Sequence, residues 1–337
     1  MKIYNRRYLG AKTKLLDFIE EIVNENCIEK SSFVDLFAGT GTVADHFNKK
    51  DTKIIVNDLL KSNYLSYVTW LSNENYDEKN VKEIILELNS ISYDGISENY
   101  FSKNFSNNYF SIENAYLIGA IRDKIETYNG KISNREKAIL ITSLIYAADK
   151  IANTFGHYEA YRKKLDDHNK LNLVMPTINN DINIGNEIYN EDSNKLVKKI
   201  SADIFYLDPP YNSRQYSDAY HLLENIATWK KPEVFGVAKK MNDRKDTKSE
   251  YCKIKANVFF DELISNIKGK YILISYNNMG EKGAGRSQSK LSDKDIISSL
   301  EKRGDVKIFE KDFKYFTTGK TEIENHKERI FLCTVKN

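Results

Sequence analysis

The tetrad Asp208-Pro209-Pro210-Tyr211 follows directly on the apolar run Ile204-Phe205-Tyr206-Leu207. A buried parallel strand ending this way presents a carboxylate, a carbonyl and a flat ring at the carboxyl edge of a sheet, where open α/β sheets bind ligands. Proline has no N–H and a fixed φ, so the pair stiffens the turn and leaves the Asp208 carboxylate and the Pro209 carbonyl as acceptors. Two acceptors beside an aromatic plate suit a planar group carrying an exocyclic amine. Alone, the four residues are equally a stiff turn with Tyr211 half-buried in packing, and the rest of the chain has to decide.

The run Ser32-Phe33-Val34-Asp35-Leu36-Phe37-Ala38-Gly39-Thr40-Gly41-Thr42 reads as an apolar strand carrying an acid, then a turn with two glycines, then a helix from Val43 to Asn48. Glycine permits positive φ and close approach of a ligand to the backbone. The lysine-containing ending of a phosphate loop and the third glycine of a dinucleotide fingerprint are both absent. A second strand, Lys53-Ile54-Ile55-Val56, ends at Asn57-Asp58, where an acid can chelate a ribose diol. The set reads as a nucleoside site without phosphate, which S-adenosylmethionine fits.

In chain order, Arg7-Tyr8-Leu9-Gly10-Ala11-Lys12-Thr13-Lys14, then Phe37-Ala38-Gly39-Thr40-Gly41, then Asp58, then Asp208-Pro209-Pro210-Tyr211 resemble the Dam-like, α-class DNA adenine-N6 methyltransferases. Two further stretches, Asn153-Thr154-Phe155-Gly156-His157-Tyr158-Glu159-Ala160-Tyr161 and Tyr211-Asn212-Ser213-Arg214-Gln215-Tyr216, resemble the branch that includes modification enzymes of type IIS systems such as FokI. The resemblance implies an α/β, Rossmann-like S-adenosylmethionine-dependent methyltransferase fold with an inserted target-recognition domain. It also implies that Tyr8, Lys12, Asp35, Phe37, Ala38, Gly39, Thr40, Gly41, Asp58 and Asp208 bind the cofactor, with Asp208, Pro209, Pro210 and Tyr211 as the catalytic set. One feature departs from the family. Where an acid usually meets the cofactor's adenine amino group, Ile184-Gly185-Asn186-Glu187 offers Asn186, whose amide oxygen can also accept; Glu187 is the alternative.

The implied reaction is methyl transfer to N6 of an adenine flipped out of double-stranded DNA, with a cognate restriction endonuclease as a possible partner. Cytosine N4 presents the same amine chemistry and is the nearest rival; a catalytically silent DNA-binding module that keeps the fold is another. DNA contacts are expected from Asn153, His157, Tyr158 and Lys163, from Arg214 beside the tetrad, and from Lys239 and Lys240 in the basic stretch 230–255. Such stretches are otherwise solvated loops.

The elements that must position these groups are readable in part. Leu15, Leu16, Phe18, Ile19, Ile22 and Val23 make one face of a helix over 13–24, and Ser133 with Glu136 forms a capping box ahead of a helix over 134–152. Residues 89–111 mix serine, asparagine and aromatics without a clear period and read as an irregular, DNA-facing insertion or loop. Strands are expected at Tyr271–Tyr276 and at 329–335, the latter paired with 306–309; Asn277, Asn278 and a loop bearing Arg286 follow the first. The catalytic domain is then expected over 1–63 and 181–337, with a mostly helical target-recognition insertion over 64–180.

At 337 residues, 41% hydrophobic and 29% charged, the chain has the composition of a globular protein. Its net charge of +3 neither demands nor excludes a polyanion. Cys27, Cys252 and Cys333 are too widely spaced for a disulfide framework or zinc site, and no metal is expected. The first residues lack the apolar stretch of a signal peptide and no run is long enough to cross a bilayer, so no membrane association and a cytoplasmic location are expected.

Overall fold

Phe33 and Val34 adjoin in sequence and are both buried, yet they feed two different hydrophobic cores. A strand that buries both faces belongs inside a parallel sheet covered by helices. The computed structural model, which describes residues 1–165, 169–210, 213–242, 244–277, 290–312 and 327–336, has this arrangement. Strands β1 (Ser32–Asp35), β2 (Lys53–Asn57), β3 (Glu187–Tyr189) and β4 (Ile204–Leu207) are parallel. Strands β5 (Val234–Phe235) and β6 (Lys240–Met241) pair apart as an antiparallel hairpin. β7 (Tyr271–Asn277) runs parallel to β4, and β8 (Gly304–Asp312) and β9 (Lys327–Val335) close the sheet antiparallel. The order is β3-β2-β1-β4-β7-β9-β8, so the winding reverses between β1 and β4. Ligands bind open α/β sheets at that reversal, outside the carboxyl ends of the strands.

The helices in chain order are α1 (Leu16–Asn26), α2 (Thr42–Phe47), α3 (Lys61–Leu71), α4 (Glu78–Asn89), α5 (Tyr100–Phe105), α6 (Ile112–Glu126), α7 (Asn134–Ile151), α8 (Ser193–Leu196), α9 (Tyr216–Ala219), α10 (His221–Thr228), α11 (Ala256–Asn266) and α12 (Asp293–Glu301). One core joins alternate strand residues such as Phe33, Ile204 and Tyr206 to α1, α3, α7 and α10; the other joins Val34, Phe205 and Leu207 to α8, α11 and α12. The capping box of α7 forms as the sequence predicts, Ser133 Oγ accepting from Glu136 N while the Glu136 carboxylate accepts from Ser133 N.

Residues 89–111 depart from their expected character. Asn99 caps α5 by accepting from Phe101 N and Ser102 N, and Phe101, Phe105, Tyr109 and Phe110 are all buried. Burial accounts for these four rings, while Tyr93 stays exposed. One helix of only six residues is too short for its period to stand out against the polar residues around it.

Candidate active site

The acids that end the strands meet at one edge. A cleft of about 940 Å³, its open mouth included, is lined by Asp35 and Phe37 after β1, Asp58 after β2, Glu191 and Asp192 after β3, and Asp208 and Pro210 after β4. Tyr8, Gly10, Lys12, Ala38, Gly39 and Thr40 complete the wall predicted from sequence. Gly41 stands one step behind it as the residue ahead of α2, at φ 78°.

The glycine turn is fixed by space as well as by φ. Gly39 has φ 55°, and a Cβ there would come 2.8 Å from the Tyr8 ring. Gly39 N donates to Asp58 Oδ2 at 3.0 Å, and Tyr67 Oη donates to the Gly39 carbonyl at 2.7 Å. Asp58 Oδ1 accepts from Leu60 N at 2.8 Å, so each carboxylate oxygen carries one backbone N–H, and the Asn63 side chain also favours the charged carboxylate. Asp35 Oδ2 accepts from Ala44 N at 3.1 Å while its buried Oδ1 has no hydrogen-bond partner. Burial pushes the Asp35 carboxyl well above its ordinary range, and the nearby Asp208 and Asp58 add to this.

Asp208 is the sharpest feature. Its Oδ2 lies 3.0 Å from Lys12 Nζ, and Lys12 is itself 93% buried in effect, only 7% of its surface being exposed. Burial raises the Asp208 carboxyl to about 6, against the pull of Lys12. Tyr211, the fourth member of the tetrad, lies outside the described residues, as do Asn212, Asn278 and Arg286.

The N-terminal segment reaches this site by aromatic stacking. Tyr8 stacks on Tyr220, with ring centroids 4.5 Å apart and planes 8° apart, and on Tyr216 at 5.4 Å. Leu9 N donates to Tyr220 Oη at 2.6 Å, and Tyr216 Oη donates to the Leu9 carbonyl at 3.3 Å. α9 and α10, which follow the tetrad, therefore clamp the segment that carries Lys12. Gln215 holds the far wall, its Nε2 donating to the Ser249 carbonyl at 3.0 Å and its Oε1 accepting from Ser249 N at 2.8 Å.

Several predicted residues lie elsewhere. Asn186 precedes β3 and so stands at the amino end of the sheet, away from the cleft. Its Oδ1 accepts from Ile54 N at 2.8 Å and its Nδ2 donates to Asn48 Oδ1 at 3.0 Å and the Leu71 carbonyl at 3.1 Å, which uses up its donors on the protein itself. Glu187 begins β3 and pairs with Lys53. The acids that do reach the cleft, Glu191 and Asp192, come after a strand of three residues; the Ile188-Tyr189 pair followed by Asn190 and then two acids is the signal that could have found them.

Of the predicted DNA contacts, Asn153 and Tyr158 are buried. Asn153 Nδ2 donates to the Asn108 and Arg162 carbonyls at 3.0 and 2.9 Å, and Tyr158 Oη donates to Asp149 at 2.8 Å. Both pin the 153–162 loop to the helical layer and cannot meet DNA. Arg214 and Lys240 converge on Glu159 at 3.0 and 3.2 Å, and Lys240 also reaches Asp218 at 3.4 Å. His157 is half-buried beside them, held below its ordinary pKa by burial and then by Arg214. Lys163 is exposed and Lys239 partly so. No described helix is long and apolar enough to cross a membrane.

The model of the D12 class N6 adenine-specific DNA methyltransferases matches residues 8–282. Type II methyltransferase M.FokI of Planomicrobium okeanokoites is 36% identical over 292 residues, covering 81% of this chain and 45% of that protein. Modification methylase StsI of Streptococcus sanguinis is 38% identical over 294 residues, covering 81% of this chain and 44% of that protein. The chain thus spans less than half the length of these two relatives. Type II methyltransferase M.NlaIII of Neisseria lactamica is 33% identical over 336 residues, 95% of both chains.

Proposed function

The chain belongs to the D12 class of N6 adenine-specific DNA methyltransferases, and from that premise we propose that it methylates N6 of an adenine flipped out of duplex DNA, with S-adenosylmethionine as donor. The observation that carries this reading is the Lys12-paired Asp208 carboxylate opening on one cleft with Asp35, Asp58 and the glycine turn.

The residues fit such a donor. Asp35 Oδ1, buried without a partner, is an acceptor suited to the donor's ammonium group, Asp58 to its ribose hydroxyls, and an acid of the pair Glu191-Asp192 to its adenine amine. Phe37 supplies an apolar face. When bound, the donor supplies a methyl group activated by its sulfonium.

The amine of adenine is a poor nucleophile because its lone pair is delocalised into the ring. Hydrogen bonds from its protons to Asp208 and to the Pro209 carbonyl favour a pyramidal nitrogen, with Tyr211 stacking on the ring. As the N–C bond forms, the methyl–sulfur bond would break with its electron pair returning to sulfur, and the amine, now cationic, gives up a proton toward Asp208. Positioning supplies most of the acceleration, and stacking offsets part of the few kcal/mol that flipping costs. Site reading is assigned to the insertion 64–180 and its neighbours, phosphate contact to exposed cations such as Lys163. A paired restriction endonuclease and a cytoplasmic setting complete the proposal.

The test is to express the chain in a host free of DNA methylation and to map modified bases molecule by molecule. Methyladenine at a fixed motif is the expected result. Methylcytosine at N4 would replace the base assignment, and unmodified DNA would refute the reading.

A further inference from the structure

Arg6 stands just ahead of the segment that lines the cleft, yet it turns inward. Only 4% of it is exposed, and neither Arg6 nor Asn63, to whose Oδ1 its Nη2 donates, is part of the cleft wall. Its Nε and Nη1 have no hydrogen-bond partner. Three rings enclose the guanidinium instead, Tyr8 at 5.3 Å, Tyr220 at 5.9 Å and Tyr146 at 6.0 Å. Ring faces attract a cation but do not replace the hydration that burial removes. An apolar side chain of similar volume would fill the space at less cost, so the charge has a use that packing does not supply.

That use is found at Asn63, which lies in the first turn of α3 and is fully buried. An amide has an accepting end and a donating end, whereas a guanidinium can only donate. Arg6 therefore fixes which way the amide faces. Its Oδ1 is turned to Arg6, and its Nδ2 to Tyr8 Oη at 3.2 Å and to Asp58, whose charged form it favours. Without Arg6 the amide is free to turn over and present its oxygen to the carboxylate. Tyr67, one turn further along α3, holds the Gly39 carbonyl, and Gly39 N in turn holds Asp58 Oδ2. One helix thus braces both the glycine turn and the acid beside it.

Charge acts in the same direction. Burial raises the Asp58 carboxyl above its ordinary range, and Leu60 N, Asn63, Gly39 N and the Arg6 cation oppose it. Asp35, Glu224, Tyr8 and Tyr67 also lie within electrostatic reach of Asp58. Each is an acid or a phenol, so none of them supplies a compensating positive charge.

We propose that Arg6 and Asn63 are positioning residues for the donor: Arg6 orients the Asn63 amide, and Asn63 holds the Asp58 carboxylate charged and turned toward the ribose hydroxyls. This rests on the functional reading above, in which Asp58 takes the ribose. Neither residue reaches the cleft, so their loss is felt through those hydroxyls and not through the rest of the donor.

The test is calorimetric titration of the whole chain with S-adenosylhomocysteine and with its 2′,3′-dideoxy analogue, which lacks the hydroxyls. The wild type should prefer the hydroxylated ligand by about tenfold or more, as a hydrogen bond to a charged group implies. Arg6→Met and Asn63→Leu should bring that preference below about threefold, while the dideoxy analogue binds within about twofold of its wild-type affinity. Asn63→Asp guards against a failure to fold. The new carboxylate pairs with Arg6, so the midpoint of urea unfolding should hold, yet it sets a like charge beside Asp58 and the preference should be lost. Equal losses for both ligands, the mark of a merely structural role, or an unchanged preference in a folded variant would overturn the proposal. A wild type that binds both ligands alike would overturn the ribose role of Asp58 and the proposal with it. A wild type that does not bind S-adenosylhomocysteine would refute the donor assignment itself, whereas a full wild-type preference beside indifferent variants refutes the positioning role alone.

Discussion

Lys12 Nζ stands 3.0 Å from Asp208 Oδ2, so the N-terminal segment and the tetrad meet as an ion pair within the cleft. Two opposed effects act on Asp208: burial raises its pKa and the Lys12 ammonium lowers it, with the balance at about 6. A carboxyl that titrates there is mostly ionised at neutral pH and neutral below about pH 6, and its charge state answers to Lys12.

The first prediction follows from that balance. Asp208 must be ionised to accept the protons of the target amine, so methylation should fall as pH drops through about 6. In Lys12→Met the cation no longer opposes burial, and the acidic limb should move to higher pH. Turnover at neutral pH should drop about tenfold and recover in part as the pH is raised. Single-turnover rates across a pH series check this; a limb that stays in place would detach Lys12 from the titration of Asp208.

Asp208→Asn keeps the shape and one acceptor oxygen but cannot take up a proton. Methyl transfer should fall by about 10²–10⁴-fold, the range for loss of a positioned acid or base, while donor and duplex still bind. Near-native turnover would remove the carboxylate from the chemistry.

The reach of the sequence has physical limits that particular residues make plain. Asp35, Asp58 and Asp208 were legible because each ends an apolar run buried on both faces, and such a run leaves little choice of element or of the end that faces a ligand. Asn186 was misread because β3 is three half-buried residues, too short for a period, and a residue just before a strand then looks like one just after it. Asn153 and Tyr158 sit in a glycine-containing loop of polar and aromatic residues, a composition shared by DNA-facing surfaces. What buries them, Tyr109 and Asp149 on other elements, is a matter of tertiary packing that no local pattern records. The Tyr8, Tyr216 and Tyr220 stack is legible only once α9 and α10 are folded against the N-terminal segment.

Asp58 offers a test of the cofactor wall. Asp58→Ala should weaken S-adenosylmethionine binding by about 1.5–3 kcal/mol, the value of a hydrogen bond to a charged group, and should loosen the turn because Gly39 N and Leu60 N lose their acceptor. Calorimetric titration measures the affinity. An unchanged value would move the ribose away from the end of β2.

Asn186→Ala separates the two ends of β3. The substitution removes the acceptor of Ile54 N and the donor to Asn48 Oδ1 and the Leu71 carbonyl, leaving polar groups at the amino edge of the sheet without partners. Each such group costs about 1–3 kcal/mol where water cannot reach it, so the midpoint of urea unfolding should fall measurably. Donor affinity per folded molecule should not change, because the side chain lies at the opposite end of the strand from Glu191 and Asp192. Loss of donor affinity with the unfolding midpoint intact would return Asn186 to the cofactor site and reverse the assignment of the two strand ends.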